Sequence, residues 1–449
     1  MLFIPILILS ILLYIIGHRV SSVLLFFFFL TGGFQLVPYP LFETFIGFNK
    51  SMDFAFLYTV ILFVYGLFRY PDFIPHNPAT TILFGYFILL CVCMGASLFY
   101  YHIPIGEIIR TSRGFFVMFS YFIIRRITQK QFVKILYVLL FITLFLCILF
   151  ALQAFTGVPL IQNAIEGEGV AFIHRFYNSP SLLLYPFVFI LIFSESLKTK
   201  YWKWPTILLV VSVFLPLSRS AVLIFLFLLI VGALLKIGDL KRLARYSPII
   251  LTLLIPILAL TVHQLQGRTM IDIQKVLDGD FIDLVETDET YEMDSESTML
   301  FRMALLFERM VDIADEPQSI IFGKGLCADG TPYTQSHFDY SLGLDDETTG
   351  GVAQLYSPDI SWSNLFLRYG FVGTTVFVFG IFYFMNVVRK YKSVYSIPVL
   401  LFLMQLIMNS FTSDLLFSVS SFVLPFFLFD SIFYGQTCFE GEKSKAVLV

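Results

Sequence analysis

Charge is what this chain has least of. Only 14% of its 449 residues are Asp, Glu, Lys or Arg, against about 25% in soluble domains. So few charges cannot clothe a water-soluble surface, which excludes a freestanding globular enzyme. Cysteine is scarce too: Cys91, Cys93, Cys147, Cys327 and Cys438 lie scattered, the first three in apolar spans and Cys327 with no partner near it in sequence. That argues against a disulfide scaffold or a thiolate metal site. The 6 histidines are spread thinly, and no metal-binding histidine motif, Walker-type loop or dinucleotide fingerprint occurs. We therefore expect neither a metal nor a cofactor, and no nucleic-acid partner.

What the chain has in excess is hydrocarbon. It is 58% hydrophobic, with 54 Phe and 23 Tyr, and its mean hydropathy is +0.83. Apolar stretches recur that are long enough, as helices, to cross roughly 30 Å of bilayer. A β-barrel would instead show alternation over about ten residues, not unbroken runs such as Tyr137 to Leu152. The apolar start leads into further apolar sequence and has no basic n-region, so it reads as a first helix and not a cleaved leader. Spans are expected near 2–17, 20–38, 53–68, 80–99, 106–124, 132–154, 180–196, 204–217, 220–236, 246–262, 364–386, 395–411 and 415–434. The expected fold is an all-α polytopic integral membrane protein of about 12–13 transmembrane helices. One large extracytoplasmic loop separates the tenth and eleventh. Membrane helices fill 1–262 and 364–435, the loop 263–363, and a cytoplasmic tail 436–449.

Basic clusters set the sidedness. Arg125, Arg126 and Lys130; Lys198, Lys200 and Lys203; Lys236, Lys241, Arg242 and Arg245; and Arg389, Lys390 and Lys392 all fall on one face. That face is read as cytoplasmic, which leaves the 155–179 segment and the large loop outside. The loop carries 20 Asp/Glu against 5 Lys/Arg. Its Asp278 to Glu296 stretch is expected to be mobile or to lie on the surface. From Thr298 to Ile313, Met299, Leu300, Met303, Leu306, Met310 and Ile313 recur with helical spacing. Pro317 and the Phe322-Gly323-Lys324-Gly325 turn should stop that helix. This second half is expected to fold against the membrane domain.

Three outward arginines stand out. Arg219 sits in Ser218-Arg219-Ser220, a very short break between two apolar runs. Arginine at a helix end can be a snorkelling anchor, yet an outward one in so tight a turn suits anion binding. Arg302 lies on the loop helix, where pairing with Glu296 or another acid is the simpler role. Arg175 precedes a span in His174-Arg175-Phe176-Tyr177-Asn178-Ser179-Pro180. Three guanidiniums facing one compartment suit a pyrophosphate, because each offers a fixed fork of donors and keeps its charge. Arg110 and Arg113 are read as structural partners, and Asp345, Asp346 and Glu347 as an exposed acidic loop.

These pieces, in this order, resemble the O-antigen ligase and polymerase superfamily of bacterial envelope proteins. Arg175 to Pro180 resembles that family's Arg…Asn-Pro element, and Ser218-Arg219-Ser220 its short arginine turn. Arg302 followed by Pro317 to Gly325 resembles its loop arginine and glycine turn. Asn364-Leu365-Phe366-Leu367-Arg368-Tyr369-Gly370 resembles the entry to the helix after the loop. The resemblance covers roughly residues 130–430. One departure matters: the family has a histidine before the asparagine matching Asn364, and here that position is Ser363.

The resemblance implies a protein of the bacterial inner membrane whose site faces the periplasm. The implied reaction is transfer of a glycan from undecaprenyl pyrophosphate to an acceptor sugar hydroxyl, without a metal. Arg219 and Arg302 would bind the pyrophosphate, with help from Arg175 and Asn178. Asp359 would position or deprotonate the hydroxyl in place of the histidine, although helix capping or an arginine partner explains it equally well. His337 and His174 are alternatives, and Trp362, Tyr356 and Asn364 would contact sugar. A surface-polysaccharide polymerase is favoured over a ligase that uses lipid A-core. Other polysaccharide assembly proteins are candidate partners. A lipid-glycan transporter would need polar residues distributed through several spans, and a scaffold would leave the arginines unexplained.

Overall fold

The computed structural model describes residues 3–42, 50–162, 164–170, 173–177, 179–186, 188–190, 203–216, 218–237, 274–286, 298–343, 345–346, 351–391, 393 and 395–433. The chain is mostly helical. Its first half holds α1 (Phe3–Ile16), α2 (Arg19–Leu30), α3 (Ser51–Arg69), α4 (Pro78–Phe99), α5 (Ile105–Phe116), α6 (Ser120–Ile124) and α7 (Gln129–Thr156). A short hairpin, β1 (Glu166–Val170) and β2 (Ile173–Phe176), follows, then α8 (Lys203–Phe214) and α9 (Arg219–Ile237). The insert contributes α10 (Asp280–Glu286), α11 (Thr298–Ala314), α12 (Pro317–Phe322), α13 (Pro332–His337) and a two-residue pair, β3 (Asp345–Asp346) with β4 (Gly351–Val352). The chain then runs through α14 (Ser361–Lys390), α15 (Ser396–Asn409) and α16 (Val423–Phe433).

The expected count of about 12–13 spans is overturned. Among the described residues only four helices, α3, α4, α7 and α14, are long and apolar enough to cross a bilayer. Hydropathy registers composition, whereas a span also needs unbroken helix. The expected spans 2–17 and 20–38 form α1 and α2 of only 14 and 12 residues, the second ending at Leu30. The 106–124 run is amphipathic, carries Arg110 and Arg113, and changes to a 3-10 turn at Val117–Phe119. In the final run, a polar turn and a 3-10 segment precede α16, which keeps 11 residues. α8 and α15 are also short. The expected spans at 180–196 and 246–262 lie partly and wholly outside the described residues. The two hairpins correct the all-α expectation as well.

Local chemistry explains where the long helices begin. Asn77 caps α4 through the Thr80 amide at 2.9 Å, with Pro78 in the first turn, where its missing N–H costs nothing. Thr128 and Gln131 form a reciprocal capping box on α7, and Gly157 ends that helix at φ +71°.

The insert is folded onto the helices, and α11 ends at Ala314 as its apolar spacing predicts. Pro317 does more than stop it, since it opens α12. Part of the acidic stretch is helical as well: Phe281 of α10 packs edge-on against Phe307 of α11. The Leu326 amide donates to Ser97 Oγ at 2.8 Å, and the Tyr333 hydroxyl donates to the Tyr101 carbonyl at 2.9 Å. Cys327 lies buried here, its thiol pushed up to about 12 by that burial.

The decisive joint is glycine on glycine. Inside α14, Gly370 departs from helical geometry at φ 64° and ψ −176°. A Cβ there would fall 2.6 Å from the Ile320 carbonyl oxygen and 2.7 Å from the Gly323 amide. With both side chains absent, α12 docks into the kink and the Lys324 amide donates to the Leu367 carbonyl at 2.7 Å. Two stretches singled out in the sequence, 317–325 and 364–373, thus meet at this point.

Candidate functional site

The head of α14 is fastened to the turn that follows α15. The Ser361 amide donates to the Ser410 carbonyl and the Asp414 amide to the Pro358 carbonyl, both at 2.9 Å. Ser361 Oγ donates to the Ser413 carbonyl at 2.6 Å and accepts from the Leu416 amide at 3.2 Å. Asn364 is fully buried. Its Oδ1 accepts from the Ser357 amide at 3.1 Å, and its Nδ2 donates to the Ser357 carbonyl at 2.6 Å. Asn364 therefore shapes the loop instead of facing a ligand. Asp329 holds the preceding stretch by accepting from the Leu355 and Tyr356 amides.

Four charged side chains gather on this platform. Arg302, reaching from α11, donates from Nη2 to Asp359 Oδ1 at 3.1 Å, and both groups are partly exposed. Arg368, one turn below Asn364, is buried, with its guanidinium 4.8 Å above the Phe417 ring. It reaches Asn364 Oδ1 at 3.4 Å and has no carboxylate partner among the described residues. Asp414 accepts from the Tyr356 hydroxyl at 2.6 Å. Burial raises the Asp414 carboxyl above the usual carboxylate range, and the neighbouring Asp359 charge adds to this while the Tyr356 bond opposes it. The Tyr356 phenol is itself raised by burial and by the Asp414 charge.

Beside the charges lies an aromatic shelf. The Trp362 ring sits 5.6 Å from Phe411 and 5.8 Å from Phe366, and Phe411 and Tyr356 are exposed. Several donors at this head lack a partner among the described residues: Arg302 Nε, Trp362 Nε1, Ser363 Oγ and Arg368 Nε. Buried polar groups are nearly always satisfied, so such a concentration fits a place completed by water or ligand.

The remaining expected residues are placed elsewhere or lie outside the described residues. Arg175 of β2 donates from Nε to the Pro216 carbonyl at 3.1 Å and stacks over Tyr177 at 4.6 Å. It is thereby tied to the break that precedes Arg219. Arg219 is the first residue of α9, but its side chain is outside the described set, as is Asn178. His174 pairs with Glu166 on the hairpin at 2.9 Å. His337 stacks on Tyr333 at 4.0 Å and donates from Nδ1 to the Tyr333 carbonyl. It borders an open, acidic cleft of about 330 Å³ with Glu308, Asp312 and Asp339, at the far end of α11 from Arg302. Arg113 pairs with Asp53. Among the described residues, no group of three or more His, Cys, Asp or Glu is arranged to hold a metal ion.

No protein-family model matches the chain, and no curated protein is significantly similar to it. The chain is a helical protein with several long apolar helices, consistent with a multi-pass membrane protein.

Asp414 and Arg368 escaped the sequence reading. Asp414 had a signal, being a lone acid in the polar break Asn409-Ser410-Phe411-Thr412-Ser413-Asp414 between two apolar runs. Arg368 lies within Asn364–Gly370, but nothing in the sequence marks it as buried without a carboxylate.

Proposed function

We propose that this chain is a membrane glycosyltransferase of the O-antigen ligase and polymerase kind, acting as a surface-polysaccharide polymerase. A glycan carried on undecaprenyl pyrophosphate is transferred to an acceptor sugar hydroxyl at the outer face of a bacterial inner membrane. One observation carries this reading: Arg302 and Asp359 meet at the head of α14, beside the aromatic shelf of Tyr356, Trp362 and Phe411. Aromatic faces hold the apolar faces of sugar rings while carboxylates take their hydroxyls. The contact with Asp359 uses one Nη of Arg302 and leaves the other Nη of the fork for phosphate oxygens. In this reading Arg219 and Arg302 bind the pyrophosphate, and charge developing on the leaving group is stabilised there. Arg175 supports the turn that carries Arg219.

The test is release of undecaprenyl pyrophosphate by purified protein given native lipid-linked repeats, alongside Arg219→Ala and Arg302→Ala proteins. Wild type should release it and build glycan ladders, and each variant should lose about 10²–10³-fold in rate, as for removal of one transition-state donor. Release only after addition of lipid A-core would replace the polymerase by a ligase. No release with either acceptor, or undiminished release by both variants, would sink the proposal.

A further inference from the structure

Within this glycosyl-transfer reading, on which the inference rests, two carboxylates stand at the head of α14. They differ in what they face. Asp359 Oδ1 is committed to the Arg302 guanidinium. Asp414 meets no cation among the described residues, and its side-chain partner there is the neutral Tyr356 hydroxyl at 2.6 Å. Asp414 is also rigidly held, its amide on the Pro358 carbonyl and its own carbonyl accepting from the Phe417 and Ser418 amides at 2.9 Å. It is half-buried, against the exposed Tyr356. A base needs reach to the hydroxyl, a fixed position and a free lone pair.

We infer that Asp414, and not Asp359, accepts the proton of the acceptor hydroxyl, with Tyr356 orienting its carboxylate. The acceptor oxygen forms its bond to the anomeric carbon as the bond from that carbon to the pyrophosphate oxygen breaks. The proton passes to Asp414, and the electron pair leaves with undecaprenyl pyrophosphate. Asp359 is then a positioning residue that fixes Arg302. Burial supports this division, because it raises the proton affinity of Asp414 toward the working pH.

The ionisable groups that act on Asp414 are Tyr356 and Asp359 from the loop; Arg368 of α14 acts on Tyr356, and Arg302 of α11 is paired with Asp359. Loss of the Tyr356 hydrogen bond removes an effect that lowers the Asp414 pKa.

The experiment follows undecaprenyl pyrophosphate release against pH for the full-length protein and for Asp414→Asn, Asp359→Asn and Tyr356→Phe, with donor binding measured separately. Asp414→Asn should bind donor normally, transfer about 10²–10⁴-fold more slowly, and lose the low-pH limb of the profile. Asp359→Asn should keep that limb. Tyr356→Phe should move it to higher pH, a shift that a purely structural role would not give and that remains readable if Asp414→Asn fails to fold. An Asp414→Asn protein within about twofold of wild type, with the limb unchanged, would overturn the inference and leave the glycosyl-transfer reading intact. So would a Tyr356→Phe profile that does not move. Absence of release by wild type with every acceptor would instead overturn the reading and the inference together.

Discussion

Two polar networks in this molecule are built from the same residue types and end differently. Near the tail end of α14, Phe384 stacks on Phe426 of α16, and close by Asn77, Tyr121, Arg125 and Asp430 close on one another. Asn77 Nδ2 donates to the Tyr121 hydroxyl at 2.7 Å, Tyr121 donates to Asp430, and Arg125 Nε pairs with Asp430 at 2.9 Å. Asp430 neutralises Arg125, and the pair locks α16 to the segment after α6. At the head of α14, Arg302, Arg368, Trp362 and Ser363 instead retain donors without partners among the described residues. The first network serves stability. The second has capacity left over, which is what a site needs.

The largest effect expected from testing this contrast comes from the frame of the open network. Gly370→Ala places a side chain between α14 and the Gly323 turn at a backbone angle that alanine strongly resists. A loss of about 4 kcal/mol or more is expected, since backbone strain and overpacking act together. Thermal unfolding in detergent would read it, and an unchanged midpoint would mean that the glycine joint is not tight. Breaking the closed network comes next. Asp430→Ala removes the acid paired with the nearly buried Arg125 guanidinium and should cost about 3 kcal/mol, measured the same way. If that variant instead lost transfer activity at wild-type stability, the division between structural and functional networks would fail. The smallest stability effect belongs to Arg368→Met. It removes a buried charge that lacks a carboxylate, so stability should stay within about 1 kcal/mol of wild type or rise. A large loss of stability there would show the open network to be as structural as the closed one.

Much of the local structure was legible in the sequence. The apolar spacing of 298–313 set the length of α11. The Phe322-Gly323-Lys324-Gly325 turn was visible as punctuation, though not as the partner of Gly370. The number of long helices was not legible. Hydropathy adds residues along a run, while the end of α2 at Leu30 and the 3-10 segments at Val117–Phe119 and Val419–Phe422 shorten helices inside runs that read as continuous.

The candidate site divides in the same way. The sequence offered Arg302 and Asp359 separately, with an arginine partner for Asp359 among the alternatives. That they pair across 57 residues follows from packing α11 against α14, and this depends on the side-chain-free contact of Gly323 with Gly370. Asn364 read as a contact residue because it stands in the stretch that resembles the family's helix entry, and burial turned it into a loop fastener. The sequence by itself determined what is local: which segments are apolar, which face of α11 packs, and where caps and turns fall. Tertiary structure alone decided which helices reach full length, which charges are closed off, and that Asp414 stands beside Asp359. Local propensity acts over a few residues, whereas these choices depend on which distant groups compete for the same buried space.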